Sequence, residues 1–213
     1  MDSAPSEPRH EATWLSTFAA QLATTQAIAD HGGNVGVAFL GDSITHNWTR
    51  CGDSWNRVWR PRRCLNYGIS GDQTAHLLFR LQHGLLDRIA PAAVVQLIGL
   101  NNCWNSPNPE TVVTGIGACL ARIRAVQPAT RVLCLAILPV RGPAAYVAPV
   151  TNAVNQRLPA IAAQHGCDFR DLGSLFRSNP DGTVPIDVMP DGGHLSPEGY
   201  ALFTNAVLEW MHI

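Results

Sequence analysis

Val35-Gly36-Val37-Ala38-Phe39-Leu40-Gly41-Asp42-Ser43-Ile44-Thr45 is the stretch from which the rest of the chain is read. Its first six residues are apolar or glycine with no polar alternation, the pattern of a strand buried on both faces of a parallel sheet. The run then breaks at Gly-Asp-Ser, so a hydroxyl is set down where a buried strand ends. Gly-Asp-Ser alone says little, since it recurs at Gly52-Asp53-Ser54. The second copy follows Asn47-Trp48-Thr49-Arg50-Cys51, which has no strand character and reads as a turn. Context therefore selects Ser43 over Ser54 as a candidate nucleophile, with helix N-capping as its alternative duty.

Outward from this strand, short apolar, β-branched runs recur at Cys64–Tyr67, Ala93–Ile98, Arg131–Leu138 and Cys167–Phe169. Between them lie helical spacings: Leu77, Leu78, Leu81, Leu85 and Ile89, then Val112, Val113, Ile116, Leu120 and Ile123. A third helical stretch covers 150–164, where Pro159 should interrupt it. A leading helix is expected over 11–29. In the last, Phe203, Ala206, Val207 and Trp210 share one face, with Ser196 as N-cap and Pro197 opening the helix. Strands alternating with amphipathic helices predict an α/β fold: a flavodoxin-like three-layer α/β/α sandwich with a five-stranded parallel sheet. The organisation expected is a disordered start over 1–10 and a single domain over 11–213.

The 213 residues suffice for a substantial core. Fifteen Lys and Arg against sixteen Asp and Glu leave a formal net charge of −1, which gives no reason to expect nucleic acid or an anionic membrane. The Arg57, Arg60, Arg62, Arg63 cluster reads as a solvated face. No apolar run is long enough to span a bilayer. The polar start does not look like a signal peptide, so cytoplasmic residence is the expectation, with a removed leader as the alternative. Cys51, Cys64, Cys103, Cys119, Cys134 and Cys167 show no metal-ligand spacing, and no metal or organic cofactor is expected. Pairing of Cys51 with Cys64 is left open.

In open parallel sheets, ligands sit beyond the carboxyl ends of the strands. Three polar, glycine-bearing loops fall there: Gly41-Asp42-Ser43, Gly68-Ile69-Ser70-Gly71-Asp72 and Gly99-Leu100-Asn101-Asn102. A long connection over 171–195 supplies Pro190-Asp191-Gly192-Gly193-His194 to the same edge. Asp191 three residues before His194 puts an orienting carboxylate and a base on one turn, and Ser43 completes the parts of a hydrolytic triad. The Ser43 N–H, the Gly71 N–H and the Asn101 side-chain amide are candidate donors to a developing oxyanion. Trp104 is a candidate wall of the acyl pocket. His46 is the competing base, but it lies one turn along the nucleophile's own helix with no acid beside it.

With these residues the chain resembles the SGNH, or GDSL-type, family of serine esterases and lipases across nearly all its length. Four blocks occur in order: Gly41-Asp42-Ser43-Ile44, Asn66-Tyr67-Gly68-Ile69-Ser70-Gly71-Asp72, Gly99-Leu100-Asn101-Asn102, and Asp191 with His194. Within that family it is most similar to the catalytic subunits of platelet-activating-factor acetylhydrolase, which share the second block and the Asn-Asn pair. Leu100, where a small or hydroxyl residue is commoner, and Gly192-Gly193 depart from the pattern. The second departure predicts an unusually flexible turn.

The resemblance implies serine-dependent hydrolysis of a short-chain carboxylic ester through an acyl-enzyme on Ser43, with a small-molecule substrate and a homodimer. The alternatives are an acyltransferase to an alcohol other than water and a non-catalytic ligand-binding module of the same fold. A flavin-binding protein is a further alternative, disfavoured because a phosphate cradle would need more than the single glycine of Gly41–His46.

Overall fold

The computed structural model describes residues 4–51, 53–105 and 108–212. In chain order the elements are α1 (Ala12–Asp30), β1 (Asn34–Gly41), α2 (Ser43–Asn47), a π-helical turn at Trp55–Trp59, β2 (Leu65–Gly68), α3 (Thr74–Gln82) and β3 (Ala90–Leu97). There follow α4 (Leu100–Asn105), α5 (Pro109–Val126), β4 (Arg131–Leu135), a 3-10 turn at Gly142–Val147, α6 (Ala148–Asn155), α7 (Leu158–Gln164), β5 (Asp168–Arg170), α8 (Gly173–Phe176) and α9 (Pro197–Met211). The five strands pair in parallel in the order β2-β1-β3-β4-β5. Parallel strands need crossover connections, and those connections are the helices that cover the two faces.

The departures from the expected boundaries have local causes. The fourth strand stops at Leu135 rather than Leu138. Beyond it the Asn155 side chain takes over the ladder, accepting from the Ile137 N–H and donating to its carbonyl, each at 2.9 Å. The expected break near Pro159 appears as two helices, α6 and α7, with Pro159 in the first turn of the second, where a missing N–H costs nothing. Ser196 caps α9, its Oγ accepting from the Gly199 N–H at 3.1 Å.

On one face α3, α5, α6 and α7 pack in succession. A second cluster is aromatic: Phe39 of β1 sits edge-on to Trp48, Trp55 and Trp59, and Trp48 stacks on Tyr200 and Phe203 of α9. The Tyr200 hydroxyl donates to the Ile44 carbonyl at 2.7 Å, so α9 is fastened to the short helix that begins with Ser43.

Met1–Ser3 of the expected disordered start, and Gly52 of the second Gly-Asp-Ser, lie outside the described residues. Residues 4–10 have no regular structure, yet they lie against the body. Glu7 N–H donates to the Ala75 carbonyl at 3.4 Å, and the Arg9 guanidinium donates to the Ser70 carbonyl at 2.7 Å. All six cysteines are free thiols. Among the described residues, no helix is long and apolar enough to cross a membrane.

Candidate active site

The order of pairing reverses between β1 and β3, the switch point where a crevice opens at the carboxyl edge of such a sheet. Ser43 leaves β1 there, Asn101 leaves β3, and the Gly71 loop leaves the neighbouring β2. Asp42, not Ser43, is the N-cap of α2; its carboxylate accepts from the Ile44 N–H at 3.0 Å. Ser43 is thereby released from capping, and its hydroxyl is free for another partner.

That partner is His194. The ring Nε2 lies 2.8 Å from Ser43 Oγ, and Nδ1 lies 2.7 Å from Asp191 Oδ2. The other carboxylate oxygen, Oδ1, accepts from the backbone N–H groups of Gly193 and His194 at 2.9 and 2.7 Å. Partial burial alone would raise the Asp191 pKa; these two N–H donors and the His194 ring outweigh it and hold the carboxyl below its ordinary range. An ionised Asp191 facing Nδ1 places the ring proton on Nδ1 and leaves Nε2 as the acceptor for Ser43. Hydroxyl, imidazole and carboxylate form one continuous chain.

Neither rival joins it. His46 Nδ1 accepts from the Ser70 N–H at 3.3 Å. Ser54 Oγ accepts from the indole of Trp48 at 2.9 Å.

The glycines between Asp191 and His194 lie in close contact with their neighbours. Gly192 has φ +92°, and a Cβ there would lie 2.5 Å from the Arg141 carbonyl oxygen. Its own carbonyl accepts from the Arg141 N–H at 3.0 Å. At Gly193 a Cβ would come within 3.1 Å of the Trp104 indole. The turn is thus pressed against two neighbours, one of them the half-buried Trp104.

Below Ser43 lies a network that motif reading missed. Arg80 of α3 is fully buried, and its five N–H donors make five bonds. Nε and Nη2 reach Asp72 Oδ2 at 3.0 and 2.7 Å, Nη1 reaches Gln21 Oε1 at 3.1 Å and the Tyr67 carbonyl at 2.8 Å, and Nη2 also reaches the Gly41 carbonyl at 3.3 Å. Trp14 donates its indole N–H to Asp72 Oδ1 at 2.7 Å. The ends of β1 and β2 and the loop carrying Gly71 are therefore tied to one cation. The signal was present: an arginine on the apolar stripe of Leu77 and Leu81 has to find a buried anion.

Asn101 links the same loops. Its Nδ2 donates to the Asp72 carbonyl at 2.9 Å and points to Asp42 Oδ2 at a longer 3.4 Å. The latter contact is too long to hold a hydrogen firmly. Among the described residues the backbone N–H groups of Ser43 and Gly71 have no protein acceptor. Burial pushes the Asp42 carboxyl up to about 7, and the nearby Asp72 adds to the rise. Below that pH the group beside Asn101 is neutral.

Residues 39–202 match the GDSL-like lipase/acylhydrolase family. The chain is 35% identical over 165 residues to the platelet-activating factor acetylhydrolase IB subunit alpha1 of Rattus norvegicus, covering 77% of this chain and 69% of that protein. Its fold is shared with a GDSL-like lipase from Bacteroides thetaiotaomicron, with TM-score 0.77, 19% identity and coverage of 92% and 97% of the two chains. A carbohydrate acetylesterase from Sinorhizobium meliloti superposes with TM-score 0.61 at 17% identity, covering 84% of this chain and 98% of that one.

Proposed function

The chain belongs to the GDSL-like lipase/acylhydrolase family, and from that premise we propose that this hydrolytic enzyme cleaves short-chain carboxylic esters through an acyl-enzyme on Ser43. The observation that carries the reading is the chain of contacts from Ser43 Oγ through His194 to Asp191, 2.8 and 2.7 Å long.

His194 Nε2 takes the hydroxyl proton as Ser43 Oγ attacks the ester carbonyl carbon. The carbonyl π electrons move to oxygen, and that oxyanion is received by the N–H groups of Ser43 and Gly71 with the Asn101 amide. Collapse breaks the bond to the alkoxy oxygen, which leaves as the alcohol with the proton from His194. Water then repeats the sequence on the acyl-serine: His194 takes its proton, the hydroxyl adds to the carbonyl, and the carboxylic acid departs as Ser43 recovers its hydrogen. Asp191 holds the imidazole tautomer and balances its positive charge during both steps.

The small-acyl preference rests on Trp104, whose indole against Gly193 narrows the space beside the base. Two of the similar proteins carry an acetyl ester in their names, which agrees with it. Residues 11–213 act in this reading as one domain.

The test is a series of p-nitrophenyl esters from acetyl to palmitoyl, each below its micelle concentration. The specificity constant should peak between acetyl and butyryl, and a maximum at octanoyl or longer contradicts the small pocket. Ser43→Ala should lose about four orders of magnitude in turnover or more, while folded Ser54→Ala keeps its activity. Trp104→Ala should gain on longer chains relative to acetyl by about tenfold, the worth of one or two methylenes in an apolar pocket.

A further inference from the structure

Arg9 precedes the first helix and lies outside residues 39–202 that match the family. Its guanidinium is nevertheless held at the candidate oxyanion loop. Nη1 donates to the Ser70 carbonyl at 2.7 Å, while Nε and Nη2 are clamped by the Glu11 carboxylate, the shortest contact being 2.7 Å. Glu7 and Trp14, on either side of Arg9, bond to Ala75 in the first turn of α3 and to Asp72 at the far end of the same loop.

Ile69-Ser70-Gly71-Asp72 is a β-turn closed by the Asp72 N–H to the Ile69 carbonyl at 3.1 Å. Gly71 occupies its third position with φ +81°, the mark of a type II turn. Types I and II differ by rotation of the central peptide, here Ser70–Gly71, through about half a turn. That peptide carries both the carbonyl bonded to Arg9 and the N–H of Gly71. It is trans, so the two point in opposite directions.

We infer that Arg9 is a positioning residue for the Gly71 oxyanion donor: by holding the Ser70 carbonyl it fixes the central peptide with the Gly71 N–H turned away from the guanidinium. The inference rests on the function proposed above, in which that N–H receives the oxyanion. Two effects act together. Rotation of the peptide would cost the charge-assisted bond and replace an N–H donor by a carbonyl. A cation at the carbonyl also polarises the peptide and makes its N–H a stronger donor. The fit on the other side is equally close: a Cβ on Gly71 would lie 2.7 Å from Arg9 Nη1, so a side chain there would displace the guanidinium as well as strain the turn at φ +81°.

The experiment compares wild type, Arg9→Ala and Arg9→Lys with p-nitrophenyl acetate as substrate and phenylboronic acid as a probe that forms a tetrahedral adduct on serine. Arg9→Ala should lower kcat by about fivefold to thirtyfold, short of the hundredfold or more that follows outright loss of an oxyanion donor. The boronate inhibition constant should rise by a similar factor, with KM and the midpoint of the pH profile unchanged. Arg9→Lys should recover part of the loss, because an ammonium still donates to the Ser70 carbonyl but cannot grip Glu11 as a fork.

An unaltered kcat and boronate affinity in Arg9→Ala overturns the inference. So does a drop in melting temperature with wild-type kcat below the transition, which would make Arg9 a mere tether of the N-terminal segment. If Ser43→Ala keeps its activity, the proposed function fails and takes this inference with it. If Ser43→Ala is dead and Arg9→Ala is unimpaired, only this inference fails.

Discussion

The serine and the histidine of the site meet across 2.8 Å, yet the regions that deliver them are held in different ways. The serine side is built on strand ends and buried charge. Asp42, Asp72, Arg80 and Asn101 are all buried, and the Arg80 guanidinium bonds to the ends of both β1 and β2. The histidine side is an irregular stretch leading into α9, anchored by Val184, Val188, Met189 and Leu195 and by single backbone bonds such as Ser196 N–H to the Val188 carbonyl at 3.0 Å. Its carboxylate, Asp191, is exposed. The serine side thus couples chemistry to stability, because its polar groups have no water to fall back on. The histidine side keeps the two apart.

The sharpest way to break that contrast is Asp191→Asn. An amide can offer a proton to Nδ1 and select the wrong tautomer, so turnover should fall about ten-thousandfold. The Asn oxygen can still accept from the Gly193 and His194 N–H groups, and urea unfolding should be unchanged. A large stability loss would show that the histidine side is not separable.

The reverse effect belongs to Arg80. Arg80→Met leaves Asp72 buried without its cation and should cost about 3–5 kcal/mol in unfolding free energy, read from urea melts. A cost below about 1 kcal/mol would mean that the serine side is held by packing alone.

The smallest effect is expected from Asp42→Asn. The folded carboxyl titrates at about 7 against an ordinary 3.8. Between those values the folded protein keeps a proton that the unfolded chain has lost, so stability falls as pH rises through that window and then levels off. The variant should lack this decline. In turnover, ionised Asp42 would draw the Asn101 hydrogen away from the oxyanion, giving wild type an alkaline limb about threefold to tenfold deep that Asp42→Asn removes. The limb persisting in the variant would assign it elsewhere.

The parts of this architecture that were legible in the sequence are those written in local pattern. Val35–Leu40, the proline break between α6 and α7, and the Asp191–His194 turn each declare themselves within a few residues. What escaped is written across long separations. Arg80 and Gly41, 39 residues apart, meet only because β1 lies between β2 and β3. Arg9 and Ser70 are 61 residues apart, and nothing near either one announces the other. The Gly192-Gly193 pair reads in the sequence as freedom of the turn, and the structure adds the other use of glycine, the close approach of Arg141 and Trp104.

The distribution of the indoles has an optical consequence. Trp14, Trp48, Trp55, Trp59 and Trp210 are buried, and Trp104 is the half-buried one, resting on Gly193 beside His194. A small neutral quencher in solution should therefore reach Trp104 first, leaving the buried emission as an internal reference. Ligand seated against Trp104 should shield it, so that loss of quenching reports occupancy in a Ser43→Ala protein that turns nothing over.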